Sequence, residues 1–239
     1  MKERPILMKG AMVRATLEDR KTHTRRIIKP QLEGLEHFKR FVFEKHPFSP
    51  SSFVGTPAEG RVSGTERMGW VGEDAWGNAI AAEEADWISC PYGVPGDRLW
   101  VKETFTLAEW YGDHYEPAGN PERRQTLKVL YRATEDETLD DIREMTWKPS
   151  IFMPRWASRI TLEIEAVRVE RLIEITADDC IAEGIYQQGG QWIIDGSETG
   201  LGWMQPEGAY RELWESINGA RSWDLNPWVW VIQFRRITP

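Results

Sequence analysis

The chain has 239 residues, 41% of them hydrophobic, and a net charge of −8. That length suits one large domain or two small ones with a sizeable core. The lack of any apolar run of about 18 residues excludes a transmembrane helix, and charges interrupt "MKERPILMKGAMVR" before a signal-peptide core forms, so a cytoplasmic protein without a membrane partner is expected. Cys90 and Cys180, with His23, His37, His46 and His114, show no ligand or pairing spacing. Neither a disulfide framework nor a metal site is read from them, and no cofactor is expected.

The first element is a short strand at Pro5–Met8, followed by a turn at Gly10. A helix is predicted from Ala11 to Glu18, with Met12, Ala15 and Thr16 at core spacing. Asp19 ends it, because Asp accepts left-handed backbone angles better than most residues. "THTRRII" then reads as extended, and Pro30 closes it. Residues 31–95 carry the clusters "HPFSPSSFVGTPAEGRVSG" and "WGNAIAAEEADWISCPYGVPGD" and read as a long irregular insertion with one or two strands.

From Gly96 a turn leads into the strand "DRLWVKETFTL", where a period of two puts Leu99, Val101, Glu103 and Phe105 on one face. Glu103 interrupts an apolar set; a strand end or bulge turning it to solvent is the favoured reading, with a buried acid near a pocket the other. Residues 126–133 form another strand. The longest, 158–172, places Ile160, Leu162, Ile164 and Ala166 on one face and Glu163 and Glu165 on the other. "ITADDCIAEGI" is a helix-start signature, with Thr176 as cap, Asp179 three residues on and Gly184 as the stop. A Gly-rich loop is predicted at 187–206, then a helix at Glu207–Ile217 with Tyr210, Leu213 and Trp214 inward. "NPWVWVIQFRRI" ends the chain as a strand, with Trp228 and Trp230 on a core face. The element order points to a single α+β domain over 1–239, built on a small mixed or antiparallel barrel.

Charge is unevenly distributed. Residues 1–30 hold nine Lys or Arg against three acids, so this segment is +6 and the remaining 209 residues carry −14. A local basic patch on an acidic body suits a small anionic ligand or a few nucleotides better than a long duplex. The densest part is "EDRKTHTRR". Lys21 and Thr24, three apart, share a side in a turn but not in a strand, and spacing leaves the choice open. Crowding of a desolvated Lys21 by Arg20, Arg25 or Arg26 would lower its pKa and fit it to act as a base toward the Thr24 hydroxyl. A phosphate-binding surface loop explains the same residues without catalysis.

"LEDRKTHTRR" resembles the signature of the ASCH family, roughly Gly-x-Lys-x-x-Thr-x-Arg after a short helix, with Lys21, Thr24 and Arg26 on its polar positions. "PGDRLWVKE", with Gly96 and Asp97, is similar to the family's Gly-Asp turn, "ITADDCIAEGI" to its acidic helix ending in Glu183, and "NPWVWVIQFRRI" to its last strand. The likeness spans roughly 5–30, 95–106, 127–186 and 207–237, and extends to the longer ASCH-type proteins of phages and prophages. Asp19 replaces the family glycine, which places a carboxylate next to Lys21 in sequence that would hold its pKa high.

The resemblance implies a PUA-like β-barrel with short flanking helices, a cleft for a base or short RNA, and no cofactor. It further implies an amidohydrolase acting on an N4-acylated cytidine, in which Thr24 attacks the acyl carbon, Lys21 handles the proton and Glu183 orients Lys21 or the base amine. Arg26 would hold a charged oxygen. The opening cations are expected at the rim of an anion or base pocket, with Lys21 facing in and Arg20 or Arg25 facing out. Arg155, Trp156 and Arg159 form a further set for stacking on bases and contacting phosphates, against the plainer reading of a buried Trp. The alternatives are a non-catalytic module binding a modified base or short single-stranded RNA, and an interaction protein whose insertion meets a host protein.

Overall fold

The computed structural model describes residues 1–31, 40–44, 67–73, 79–81, 89–110, 115–117, 127–135, 138, 140–195 and 202–237. Most of the 31–95 insertion and residues 196–201 of the Gly-rich loop lie outside them. The chain runs β1 (Glu3–Leu7), α1 (Gly10–Leu17), β2 (His23–Ile27), β3 (Arg40–Glu44), β4 (Arg67–Glu73), β5 (Ala79–Ala81), β6 (Arg98–Lys102), β7 (Phe105–Trp110), β8 (Tyr115–Pro117) and β9 (Leu127–Tyr131). It continues with α2 (Asp140–Arg143), β10 (Thr161–Arg171), α3 (Ala177–Ala182), β11 (Tyr186–Gln188), β12 (Gln191–Ile193), α4 (Pro206–Asn218) and β13 (Trp228–Ile237). The fold is α+β and mostly antiparallel. Among the described residues no helix is long and apolar enough to cross a membrane.

A five-stranded sheet in the order β1-β6-β10-β13-β2 carries the main core, with only β1 and β6 parallel. β13 lies inside the sheet between β10 and β2, and Trp228 to Ile232 are all buried, as expected of a strand covered on both faces. Register and alternation put Leu99, Leu162, Ile164, Val167, Ile232 and Thr24 on one face. β1 and β2 are the two edges of this sheet, yet Arg26 Nη2 on β2 donates to the Leu7 carbonyl of β1 at 2.6 Å. Side chains thus bridge the edges of a curled sheet, while the backbone ladder stays open. The closed barrel expected from the sequence is not formed among the described residues.

α1 begins one residue earlier than predicted and buries Met12, Val13, Ala15 and Thr16. Asp19 follows it with φ 57°, the left-handed angle expected of it. Its carboxylate accepts two bonds from Arg236, at 2.8 and 2.9 Å. Asp19 is therefore engaged away from Lys21, contrary to the pairing expected from their proximity in sequence. Thr176 caps α3 and accepts from the Asp179 N–H at 3.1 Å in a capping box.

Several expectations are corrected. The insertion contains three described strands, β3 to β5, not one or two. The supposed Gly-rich loop opens with the β11–β12 hairpin, whose Gly189 and Gly190 at φ 58° and 81° supply the two positive angles of a tight two-residue turn. In β10 the register shifts between Ile164 and Ala166. That bulge moves Val167 into the core in place of Ala166, and sends Arg168 and Glu170 to the opposite face. Glu103 is buried, not turned to solvent: Arg159 clasps it with Nε and Nη2, both at 2.9 Å. Burial pushes its carboxyl pKa up against the pull of Arg159.

Candidate functional site

α1 ends in a turn that is tied to α3. Lys21 N–H donates to the Ala15 carbonyl at 3.0 Å, and Thr22 N–H to the Ala182 carbonyl at 2.8 Å. Gly184, with φ 102°, lets the chains close up, since a Cβ there would lie 2.9 Å from Ala15 Cβ and 3.5 Å from Lys21 Cβ. The consequence is contact between residues 162 positions apart. Lys21 Nζ donates to Glu183 Oε2 at 2.5 Å and to the Glu183 carbonyl at 2.9 Å, and both residues are 2% exposed.

Arg25, on the same side as Glu183, completes a buried network. Its guanidinium reaches Glu170 at 2.5 Å, Asp179 at 3.0 Å and Glu183 Oε1 at 3.4 Å. Arg168 joins Glu170 at 3.0 Å and Asp179 at 2.7 Å. Tyr210 on α4 donates its hydroxyl proton to Glu183 Oε1 at 3.3 Å. Three cations, Lys21, Arg25 and Arg168, thus face three carboxylates, Glu170, Asp179 and Glu183. Burial lowers the Lys21 pKa; Glu183 opposes this, while Arg26 and Arg25 add to it. Arg25 itself is shifted upward, because Glu183 and Glu170 outweigh its burial.

Asp179 gives this network a pH signature. Burial would raise its carboxyl pKa, but Arg25 and Arg168 bring it to about 2, below the ordinary 3.8. A depressed acid contributes stability that is present above the unfolded value and lost as pH falls through the folded one. The urea midpoint is therefore expected to drop between about pH 4 and pH 2, and Asp179→Asn to flatten that drop. An unchanged slope in the variant would show that Asp179 is not held this way.

The predicted residues separate into three groups. Lys21 and Glu183 meet directly. Thr24 is 1% exposed, and its hydroxyl has no hydrogen-bond partner among the described residues; it lies on the Ile232 face of β2, opposite Arg25, and no hydrogen bond joins it to Lys21 or Glu183. Of the two arginines offered for the outward position, Arg25 is 4% exposed and fully engaged within. Arg20 does lie at the rim, paired with Glu18, donating to the Gly184 carbonyl and stacked over Tyr186 at 4.6 Å. Arg26 shares the Thr24 face of β2; its Nε is buried without a partner among the described residues.

The third group has other partners. Arg159 holds Glu103, donates to Thr134 and lies 3.9 Å over the Tyr131 ring, and Arg155 pairs with Glu3 at 3.0 Å. Trp156 is 67% exposed, not buried. Glu170, Asp179, Arg168 and Tyr210 belong to the site although the sequence did not single them out for it. Only Asp179 carried a signal, as the third residue of a capping box.

One cavity adjoins the network, and a second shares part of its lining. A pocket of about 40 Å³ touches Arg25, Glu183 and Tyr210, which is room for water but not for a base. A cleft of about 590 Å³ lies outside it, and Arg26, Ile27 and Asn218 line both. Among the described residues no group of His, Cys, Asp and Glu is arranged to hold a metal ion. No protein-family model, curated protein or solved structure matches this chain.

Proposed function

We propose that this protein is an amidohydrolase of the ASCH type, on a PUA-like frame, that removes an acyl group from N4 of a cytidine-like nucleoside. The observation that carries this reading is the buried contact between Lys21 Nζ and Glu183 Oε2 at 2.5 Å, formed between two of the charged residues that the family resemblance singled out. Desolvation favours the neutral amine of Lys21, the form that acts as a base. An unpartnered buried hydroxyl on Thr24 supplies a nucleophile that pays no hydrogen bond to attack.

In the proposed reaction Lys21 first gives up its proton to solvent from the resting ion pair, Thr24 Oγ1 then adds to the acyl carbon, and the hydroxyl proton passes to the freed amine. Collapse breaks the C–N bond as Lys21 passes a proton to the departing N4 amine, and water then cleaves the acyl ester on Thr24. Lys21 and Thr24 are sealed in the resting fold and line neither cavity, so the reaction requires the packing around them to open first.

That sealing favours a second reading, in which Lys21–Glu183 is structural and the protein binds a modified base or short single-stranded RNA without chemistry. Incubation with N4-acetylcytidine, followed by chromatography, separates the two. Release of cytidine is the expected result. No release, together with salt-sensitive binding of single-stranded RNA, would replace the hydrolase with the binding module.

A further inference from the structure

We infer that the 590 Å³ cleft along β2 is a binding site for a nucleoside phosphate, with Arg26 and Lys29 taking the phosphate and Tyr92 the base. Its volume lies within the range of small-molecule sites, roughly 300–1,000 Å³. Among the described residues that line it, the two charged ones are cations and none is a carboxylate, in a protein whose net charge is −8. Local positive potential in an acidic body selects an anion.

Arg26 has donors to spare. Its Nη2 is used by the Leu7 carbonyl at 2.6 Å, but its Nε is buried and unpartnered among the described residues. An anionic oxygen in the cleft pairs that N–H once the Arg26 side chain turns outward, which relieves the cost of leaving it unsatisfied. Lys29, three residues on, is exposed and follows the same edge strand. Tyr92 is half-buried and packed against the core, which fixes its ring for stacking. Asn218 commits Nδ2 to the Trp214 carbonyl at 3.1 Å, which leaves Oδ1 as an acceptor for a base N–H.

Arg26, Ile27 and Asn218 also line the inner pocket that touches Glu183. A ligand anchored by its phosphate in the cleft therefore abuts the wall in front of the buried network. The choice of cytosine as the base rests on the proposed hydrolase; the phosphate site does not.

The test is titration calorimetry on the full chain at low salt with cytidine 5′-monophosphate, cytidine and inorganic phosphate. Cytidine monophosphate should bind about tenfold or more tightly than cytidine, and phosphate should compete with it. Lys29→Gln, at an exposed position, should weaken the nucleotide about tenfold and leave the thermal midpoint unchanged. Equal affinity for nucleotide and nucleoside, or a Lys29→Gln variant that binds like wild type, would overturn the inference. Assay of N4-acetylcytidine on the same sample keeps the claims apart. Turnover without nucleotide preference removes the phosphate site and keeps the hydrolase, and nucleotide preference without turnover does the reverse.

Discussion

Lys21→Ala is expected to destabilise the fold by about 3–5 kcal/mol, the usual cost of removing one partner from a buried ion pair. Nζ is the closest cation to Glu183, at 2.5 Å; Arg25 stands 3.4 Å away on the other carboxylate oxygen. The alanine also leaves a void where the aliphatic stem packs beside Gly184. Replacing both partners, as Lys21→Met with Glu183→Gln, removes the unpaired charge and should recover most of the loss. Arg25 retains Glu170 and Asp179 in that variant. Urea denaturation of the two variants measures this directly, and a Lys21→Ala protein as stable as wild type would show that the pair contributes nothing to folding. The same reasoning makes Lys21→Ala a poor probe of chemistry, since lost turnover would also follow from lost structure.

Much of the fold around the site was legible because its signals are local. The 3.6-residue spacing of Met12, Ala15 and Thr16, the Thr176–Asp179 capping box and the Gly184 stop each depend on neighbours within a few positions. Asp19 adopted the left-handed angle for the same reason. The misread features depend on distant contacts. Whether Arg25 faces solvent is decided by α3, about 150 residues away, which brings Asp179 and Glu183 over β2. One bulge in β10 reverses the faces of everything after Ile164, so strict alternation hid Arg168 and Glu170 from the site.

Glu103 and Arg159 show the same limit from the other direction. An acid in an apolar alternation was read as turned outward, and an arginine beside Trp156 as a nucleic-acid contact. They answer each other across 56 positions, and neither signal is visible without the partner. Edge closure is likewise non-local: Arg26 matched a motif on β2, yet its bond to Leu7 spans the open side of the sheet.

Thr24→Val carries the largest expected effect on activity. The two side chains have nearly the same shape, and the Thr24 hydroxyl is buried without a partner. Its removal should leave the thermal midpoint unchanged or raise it, by up to about 1 kcal/mol in stability. A nucleophile cannot be lost so quietly from the reaction: without Oγ1 no acyl ester forms, and turnover should fall by at least about 10³-fold. Stability and activity are thus expected to move apart, which a structural role for Thr24 does not produce. The deciding measurement is release of cytidine from N4-acetylcytidine by wild type and Thr24→Val side by side, with thermal melts of both. Turnover by wild type, lost in a variant that melts no lower, is the expected result; turnover retained by Thr24→Val would contradict the proposed chemistry at its first step.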